Sequence, residues 1–123
     1  MKLGINNGIG DMQRLHSSED IQSVWNSVRP YRVNGFLIRM QKSAELDHRV
    51  GVIIPKKYVA KAVDRNLMKR RMREAIRRWL YEKNLYHQEQ KYDILVVLSG
   101  RDEPRSMLEY TAFIDCAAEV FVR

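Results

Sequence analysis

Residues 56–78, KKYVAKAVDRNLMKRRMREAIRR, concentrate the basic side chains of this chain. They hold ten Lys or Arg residues against two acidic ones, whereas all 123 residues together hold 22 basic and 15 acidic residues, a net charge of +7. The rest of the chain is therefore close to neutral, and the excess positive charge belongs to one segment. Such a patch is typical of a surface that binds nucleic acid or another polyanion.

On a helical wheel of about 100° per residue, this segment separates into an apolar face and a cationic face. Like charges four residues apart destabilise a helix by about 0.2–0.5 kcal/mol per pair, so a face that contacts only water would more commonly interleave Glu with Lys. Arg also suits phosphate, which a guanidinium binds with two parallel hydrogen bonds. The cationic row is Arg65, Lys69, Arg73 and Arg77, with Asn66 and Arg70 on the same side, and the apolar face is Met68, Met72, Ala75, Ile76 and Trp79.

No arrangement of residues suited to catalysis accompanies this patch. The histidines are scattered without a zinc-ligand pair, and no Gly-x-Ser-x-Gly or Cys/His arrangement is present. Asp93, Asp102 and Glu103 fall at predicted strand ends, where turns and helix caps explain them. The single cysteine, Cys116, leaves no intramolecular disulfide and no cysteine-based metal site. We therefore predict no catalytic residue, no bound metal and a binding role.

Short elements precede the cationic segment. Ser17 and Asp20 resemble a capping box, which predicts an amphipathic helix over about 18–28. Two β-prone runs, 31–41 and 48–56, flank the polar stretch KSAELD and predict a hairpin, with a further short edge strand near 29–33.

The cationic segment itself is predicted to be a helix that lasts to about Lys83. A buried strand in YDILVVLS follows, and then a final helix that begins near Pro104. This order predicts an α+β fold, a two-layer α/β sandwich with one mostly antiparallel sheet and helices over it. We expect a single domain over 1–123, with 1–13 as a flexible tail.

The longest apolar run, ILVVL, is too short to span a bilayer. No basic-then-apolar leader opens the sequence, so we expect a cytoplasmic protein without a membrane partner.

The residues resemble the protein subunit of bacterial ribonuclease P. The blocks RVGV (49–52), KK (56–57) and KAV (61–63), followed by RN, KR and REA within 65–75, have the order and spacing of that family's strand, loop and "RNR" helix. Upstream, Arg14-Leu15 and Val24-Trp25 are similar to its first helix. The resemblance covers roughly 14–122.

This resemblance implies a non-catalytic subunit of a tRNA 5′-maturation endoribonuclease. In the family, an RNA subunit removes the 5′ leader from precursor tRNA with divalent metal ions, and the protein helps to position the substrate. The implied partners are the catalytic RNA and precursor tRNA, with no small-molecule substrate. The chain itself is expected to bind no cofactor, although the ribonucleoprotein requires Mg²⁺. The implied fold is ribosomal protein S5 domain 2-like, with a left-handed βαβ crossover.

The resemblance also implies two RNA-binding surfaces. To the surface that faces the catalytic RNA we assign Lys61, Arg65, Asn66, Lys69, Arg70, Arg73 and Arg77. To a cleft between the first helix and the sheet, which would receive the single-stranded leader, we assign Arg14, Ile21, Trp25, Phe36, Arg39, Lys56 and Lys57.

Several positions depart from the family pattern. Leu67 replaces the last Arg of the motif, Arg71 is an added basic residue, and Pro55 replaces a serine. Ile21 and Arg39 stand where aromatic residues are common, so Arg39 would trade stacking for a phosphate or cation–π contact. From the residues alone, a general RNA- or DNA-binding protein, ribosomal or architectural, stays the alternative.

Overall fold

The computed structural model describes residues 12–27, 29–33, 35–85 and 89–100. These residues form five strands and two helices. In chain order they are β1 (Gln13–Arg14), α1 (Ser18–Ser27), β2 (Tyr31–Val33), β3 (Phe36–Ser43), β4 (Arg49–Ile53), α2 (Ala62–Glu82) and β5 (Lys91–Leu98). Neither helix in these ranges has the length and apolarity needed to cross a bilayer.

The five strands form one sheet in the order β1-β4-β5-β3-β2. β5 pairs in parallel with β4 and antiparallel with β3, while β1 is parallel to β4 and β2 is antiparallel to β3. α2 joins the neighbouring parallel strands β4 and β5, so the βαβ crossover is present. The predicted α+β class is confirmed, and the sheet is mixed, with its longest pairing, that of β3 with β5, antiparallel.

The predicted hairpin between 31–41 and 48–56 is wrong. β5 lies between β3 and β4, and the hairpin is formed by β2 and β3. β5 is buried from Tyr92 to Leu98. A strand that is apolar on both faces gains most by lying in the centre of a sheet with helices on both sides. The free energy gained by burying β5 outweighs the preference for pairing β3 with β4 across their short connection.

The two helices cover opposite faces of the sheet. Beneath α2 the core contains Phe36, Ile38 and Met40 of β3, which are packed with Met72 and Ile76 of the helix. On the other face, a smaller cluster joins α1 to the sheet, and it contains Leu15, Val24, Leu95 and Val97. The described chain is thus layered helix, sheet, helix, and the predicted apolar face of α2 is confirmed.

Both helix starts have local causes. The Asp20 amide donates to Ser17 Oγ at 3.1 Å, which confirms the N-terminal cap of α1. The cationic helix begins at Ala62, later than predicted. Pro55 starts a tight turn in which the Tyr58 amide donates to its carbonyl at 3.1 Å, so Lys56 and Lys57 lie in a loop.

Gly51 allows Leu15, the residue after β1, to lie close to β4. A Cβ at this position would lie 2.7 Å from the carbonyl oxygen of Leu15 and 3.2 Å from Cδ1 of Leu95. Gln13, predicted as the end of a flexible tail, instead pairs with Arg49 in the sheet. Residues 1–11, the predicted final helix, Cys116, Asp102 and Glu103 lie outside the described residues.

Candidate nucleic-acid interface

A groove of about 670 Å³ runs along the β1–β4 edge of the sheet. One wall is α2, and the other is the segment from Met12 to Ile21. Among the described residues of its lining, Glu74 is the single acidic one, so positive potential is concentrated between low-dielectric walls. Its basic side chains are Arg14, Lys69, Arg70, Arg73 and Arg77, and Asn66 lies beside them.

Arg73 is held inside this groove by the sheet. Its side chain is half-buried, and Nη1 donates to the carbonyl oxygen of Val50 at 2.8 Å. Burial, together with the positive charge of Arg14, lowers the pKa of Arg73. Two cations from different elements therefore face the same space, and a bound anion would relieve their repulsion.

Arg65 stabilises the segment that leads into α2. Its Nη1 donates to the carbonyl oxygens of Val59 at 3.0 Å and Ala60 at 2.7 Å. Lys61, at the N-cap position, has an extended backbone and no side-chain capping bond. Arg65 thus contributes to local structure as well as to the positive surface.

Arg77 and Arg78 share the carboxylate of Glu74. Arg77 donates to both Glu74 oxygens, and Arg78 Nε lies 3.3 Å from Oε2. The hydrogen bond from Arg77 is the main cause of a lowered Glu74 pKa. The charge of Arg77 is therefore largely compensated within the helix.

The side chains of Asn66, Lys69 and Arg70 differ from these arginines, because they form no hydrogen bond or ion pair with the described part of the chain. Their donors are available to a ligand in the groove. Leu67 and Arg71 are absent from the groove lining, and Arg71 is exposed elsewhere on the helix. The departure at Leu67 thus leaves the cationic lining of the groove intact.

A second site lies where α1 meets β3. The guanidinium carbon of Arg39 is 4.1 Å from the centroid of the Trp25 ring, a cation–π contact. Trp25 is 39% exposed, whereas Arg39 is only 7% exposed. Within the described residues, Arg39 Nε and Nη1 are buried without a hydrogen-bond partner. Burial lowers the pKa of Arg39.

The other residues assigned to the leader cleft lie elsewhere. Phe36 is fully buried beneath α2, on the opposite sheet face from Arg39. Their separation of three residues in one strand already implies opposite faces, because side chains alternate with period two. Arg14 and Ile21 line the α2 groove instead, so the predicted set is divided among several places.

Lys56 and Lys57 are exposed in the loop between β4 and α2, and Lys57 Nζ lies 5.1 Å from the centroid of the Tyr58 ring. Of the seven cleft residues, the structure thus brings Trp25 and Arg39 into direct contact. The lysines form a separate basic surface at the start of α2.

Sequence reasoning missed an ion cluster that ties α1 to the sheet. Arg49 donates to Asp93 through Nε and Nη2, each at 2.8 Å, and to Asp20 through Nη1 at 2.9 Å. The hydrogen bond with Asp93 is the main cause of a raised Arg49 pKa. Asp93, predicted as a turn or cap residue, is thus a buried strand residue. A carboxylate within a strongly apolar strand was the available signal.

His48 is a second buried polar residue that the sequence did not single out. Its Nδ1 accepts from the Tyr92 amide at 3.1 Å, so Nε2 carries the proton and donates to the Leu85 carbonyl at 3.0 Å. Burial lowers its pKa. No group of three His, Cys, Asp or Glu side chains that could hold a metal ion occurs in the ranges described.

The sequence profile of the family described as Ribonuclease P matches residues 10–116. The chain belongs to the ribonuclease P family. A relative named "Ribonuclease P protein component", from Burkholderia mallei strain SAVP1, is 42% identical over 64 residues, which is 52% of this chain and 46% of that protein. The protein of the same name from Ectopseudomonas mendocina strain ymp is 33% identical over 94 residues, covering 76% of this chain and 66% of that protein. The match thus spans about half the length of the Burkholderia relative.

Solved structures of ribonuclease P proteins share the fold. The protein from Thermotoga maritima has a TM-score of 0.65 at 22% identity, with 87% of this chain and 96% of that chain covered. The protein from Staphylococcus aureus has a TM-score of 0.59 at 16% identity, with 88% and 94% covered. At these identities the likeness concerns the arrangement of the strands and helices.

Proposed function

We propose that this chain is the RNA-binding subunit of a bacterial-type ribonuclease P, which assists a catalytic RNA in removing the 5′ leader from precursor tRNA. The observation that carries the proposal is the convergence of basic side chains from β1 and α2 on one groove. Lys69 and Arg70 bring donors that the described chain does not use, and Arg73 is already held in place by a backbone bond. Such an arrangement suits an RNA backbone, because several phosphates are neutralised at once.

The cleavage chemistry is assigned to the RNA, and the protein contributes binding. Cations placed along the phosphate backbone replace condensed counterions, so the folded RNA needs less Mg²⁺ to bring its own charged segments together. We propose Mg²⁺ as a requirement of the ribonucleoprotein and place the complex in the cytoplasm. Precursor tRNA is the proposed substrate.

The leader is proposed to contact the surface between α1 and β3. An exposed aromatic ring beside a cation is the kind of platform on which unpaired RNA bases stack. Trp25 and Arg39 supply these groups, and their contact holds both side chains in a fixed relation. The α2 groove and this surface lie on different parts of the molecule, which would let one protein contact two RNA segments.

Reconstitution with a bacterial ribonuclease P RNA at low Mg²⁺ tests this function. The expected result is a gain in precursor tRNA cleavage that depends on the protein. A double variant, Lys69→Gln with Arg70→Gln, should lose most of the gain, whereas Arg71→Gln on the same helix should keep it. If the wild-type chain gives no gain, and binds duplex DNA as tightly as structured RNA, a general nucleic-acid-binding role replaces the proposal.

A further inference from the structure

Glu74 places a negative charge inside a groove that otherwise attracts anions. Among the described residues that line the α2 groove it is the single acidic side chain, and its neighbours on the helix include Lys69, Arg70, Arg73 and Arg77. A carboxylate at this place repels any phosphate that approaches it, so it lowers the affinity of the groove for a polyanion. A surface that only had to attract RNA would bind more tightly with a neutral residue here.

Glu74 also occupies the cation that follows it on the helix. Arg77 donates through Nε and Nη2 to the carboxylate, and Arg78 Nε lies 3.3 Å from Oε2. The side chains of Arg77 and Glu74 are 22% and 31% exposed, so salt screens this ion pair less than a pair on open surface. A phosphate must therefore displace Glu74 before Arg77 can bind it.

The two ends of the groove along α2 thus differ. Lys69 and Arg70 carry side-chain donors that the described residues do not use, and Arg73 donates to a backbone carbonyl, which leaves its charge uncompensated. One turn later, the charge of Arg77 is compensated by Glu74. At a rise of 1.5 Å per residue, residues 69 and 77 are separated by about 12 Å along the helix axis. An RNA backbone that follows the helix over this distance meets the carboxylate.

We propose that Glu74 is a specificity-determining residue, which ends the row of phosphate contacts along α2 and so disfavours polyanions that do not fit the groove. This inference rests on the proposed function, and it gives a selective role to a residue outside the assigned RNA-binding set. A partner RNA whose phosphates lie beside Lys69, Arg70 and Arg73 avoids the carboxylate. A polyanion that follows the whole helix must approach or displace it. Specificity is a difference of affinities, and a group that repels the wrong ligand is one way to create it.

The alternative is a purely structural role for Glu74. Ion pairs three and four residues apart stabilise a helix slightly, and the pairs with Arg77 and Arg78 have this spacing. A structural role would change the binding of every RNA to the same extent. A selective role changes the ratio between two affinities, which is therefore the quantity to measure.

The test compares the affinity of the full chain for a bacterial ribonuclease P RNA and for poly(U), an RNA without a fixed fold. Glu74→Gln keeps the size of the side chain and removes its charge. The freed Arg77 adds one contact to the single strand, so the salt slope of log affinity for poly(U) should steepen by about 0.7. If the affinities coincide at 1 M salt, this slope gives about a fivefold gain at 0.1 M. The affinity for the ribonuclease P RNA should not rise, so the preference for it should fall by the same factor.

Two further variants identify the cause of the effect. Glu82→Gln is the matched control, because Glu82 is exposed on α2 and lies outside the groove lining, and it should leave the ratio of affinities unchanged. The double variant Glu74→Gln with Arg77→Gln should lose the gain for poly(U), since the freed cation is removed. Urea unfolding of each variant checks that it is folded.

Each other outcome overturns the inference. An equal change for both RNAs in Glu74→Gln, in a chain whose wild type prefers the ribonuclease P RNA, shows a structural role and leaves the proposed function standing. The same gain from Glu82→Gln shows an effect of net charge. A gain that persists in the double variant shows that release of Arg77 is not the cause. If the wild type binds poly(U) as tightly as the ribonuclease P RNA and gives no gain in cleavage, the proposed function fails, and this inference fails with it.

Discussion

Replacing Arg70 tests the α2 groove most directly, because nothing in the described chain depends on this side chain. Arg65 and Arg73 donate to backbone carbonyls, so their removal changes local structure as well as the surface charge. Arg77 is paired with Glu74. Arg70 is exposed, lines the groove and keeps its donors for a ligand. Arg70→Gln therefore removes one cation with little effect on folding.

The expected effect follows from counterion release. One lost phosphate contact lowers the salt slope of log affinity by about 0.7–0.9. Between 50 and 200 mM salt, a fourfold change, such a slope corresponds to about a 2.6- to 3.5-fold difference in affinity. The ratio of wild-type to variant affinity should thus be about 2.6 to 3.5 times larger at 50 mM salt than at 200 mM salt.

The assay is equilibrium binding of the protein to a bacterial ribonuclease P RNA over a salt series. Arg71→Gln is the control, since Arg71 is exposed on the same helix and has the same charge but lies outside the groove lining. Equal slopes for Arg70→Gln and Arg71→Gln would refute the reasoning. The groove would then be ordinary solvated surface, and the affinity would reflect net charge alone.

Three further changes test the scaffold by urea unfolding. Gly51→Ala should cost about 1–3 kcal/mol by overpacking, because the new Cβ would lie 2.7 Å from the Leu15 carbonyl oxygen. Gly100→Ala, whose new Cβ would lie 3.5 Å from the nearest atom, should not destabilise the protein, and equal effects would contradict the close contact of Leu15 with Gly51. Folding lowers the pKa of His48, so the free energy of unfolding should fall as the pH drops below the unfolded pKa of about 6.5. The decline is at most about 1.4 kcal/mol per pH unit, and it stops once the pH is below the folded pKa. His48→Gln should remove that decline and His16→Gln should not; the same pH profile in both variants would argue against a buried neutral His48. Asp93→Ala should cost about 3–5 kcal/mol, because it removes the buried partner of Arg49 and leaves Nε and Nη2 without an acceptor while Nη1 keeps Asp20; a loss of less than about 1 kcal/mol would show that the ion cluster does not support the sheet.

Elements with a local cause were predictable from the sequence. The cap at Ser17, the apolar face under α2 and the buried strand β5 were all correct, because each depends on a few neighbouring residues and on a fixed period. The pairing of β3 with β5 was not, since it joins residues far apart in the chain. Short connections favour a hairpin, but burial of the most apolar strand in the centre favours the observed order.

The residues of the candidate site were likewise predictable only where local sequence determines their position. The row of cations on α2 follows from helical periodicity, and so the sequence identified Lys69 and Arg70 correctly as neighbours on one surface. The cleft assignment depended on which face of a strand is covered by which helix. Phe36 was placed with Arg39 although the alternation of side chains along a strand already puts them on opposite faces, and the fold adds that α1 covers the face of Arg39.

By itself, the sequence determined that this chain has an amphipathic cationic helix whose motif residues follow the order and spacing of the ribonuclease P family. Charge, period and spacing are properties of the linear chain. Only the tertiary structure decided which of those cations are available. Arg65, Arg73 and Arg77 are partly engaged by backbone or carboxylate oxygens, while Nε and Nη1 of Arg39 are buried without an acceptor in the part of the chain that the structure describes. The reason is that the partner of a charged side chain comes from distant segments, and only folding places them within hydrogen-bond distance.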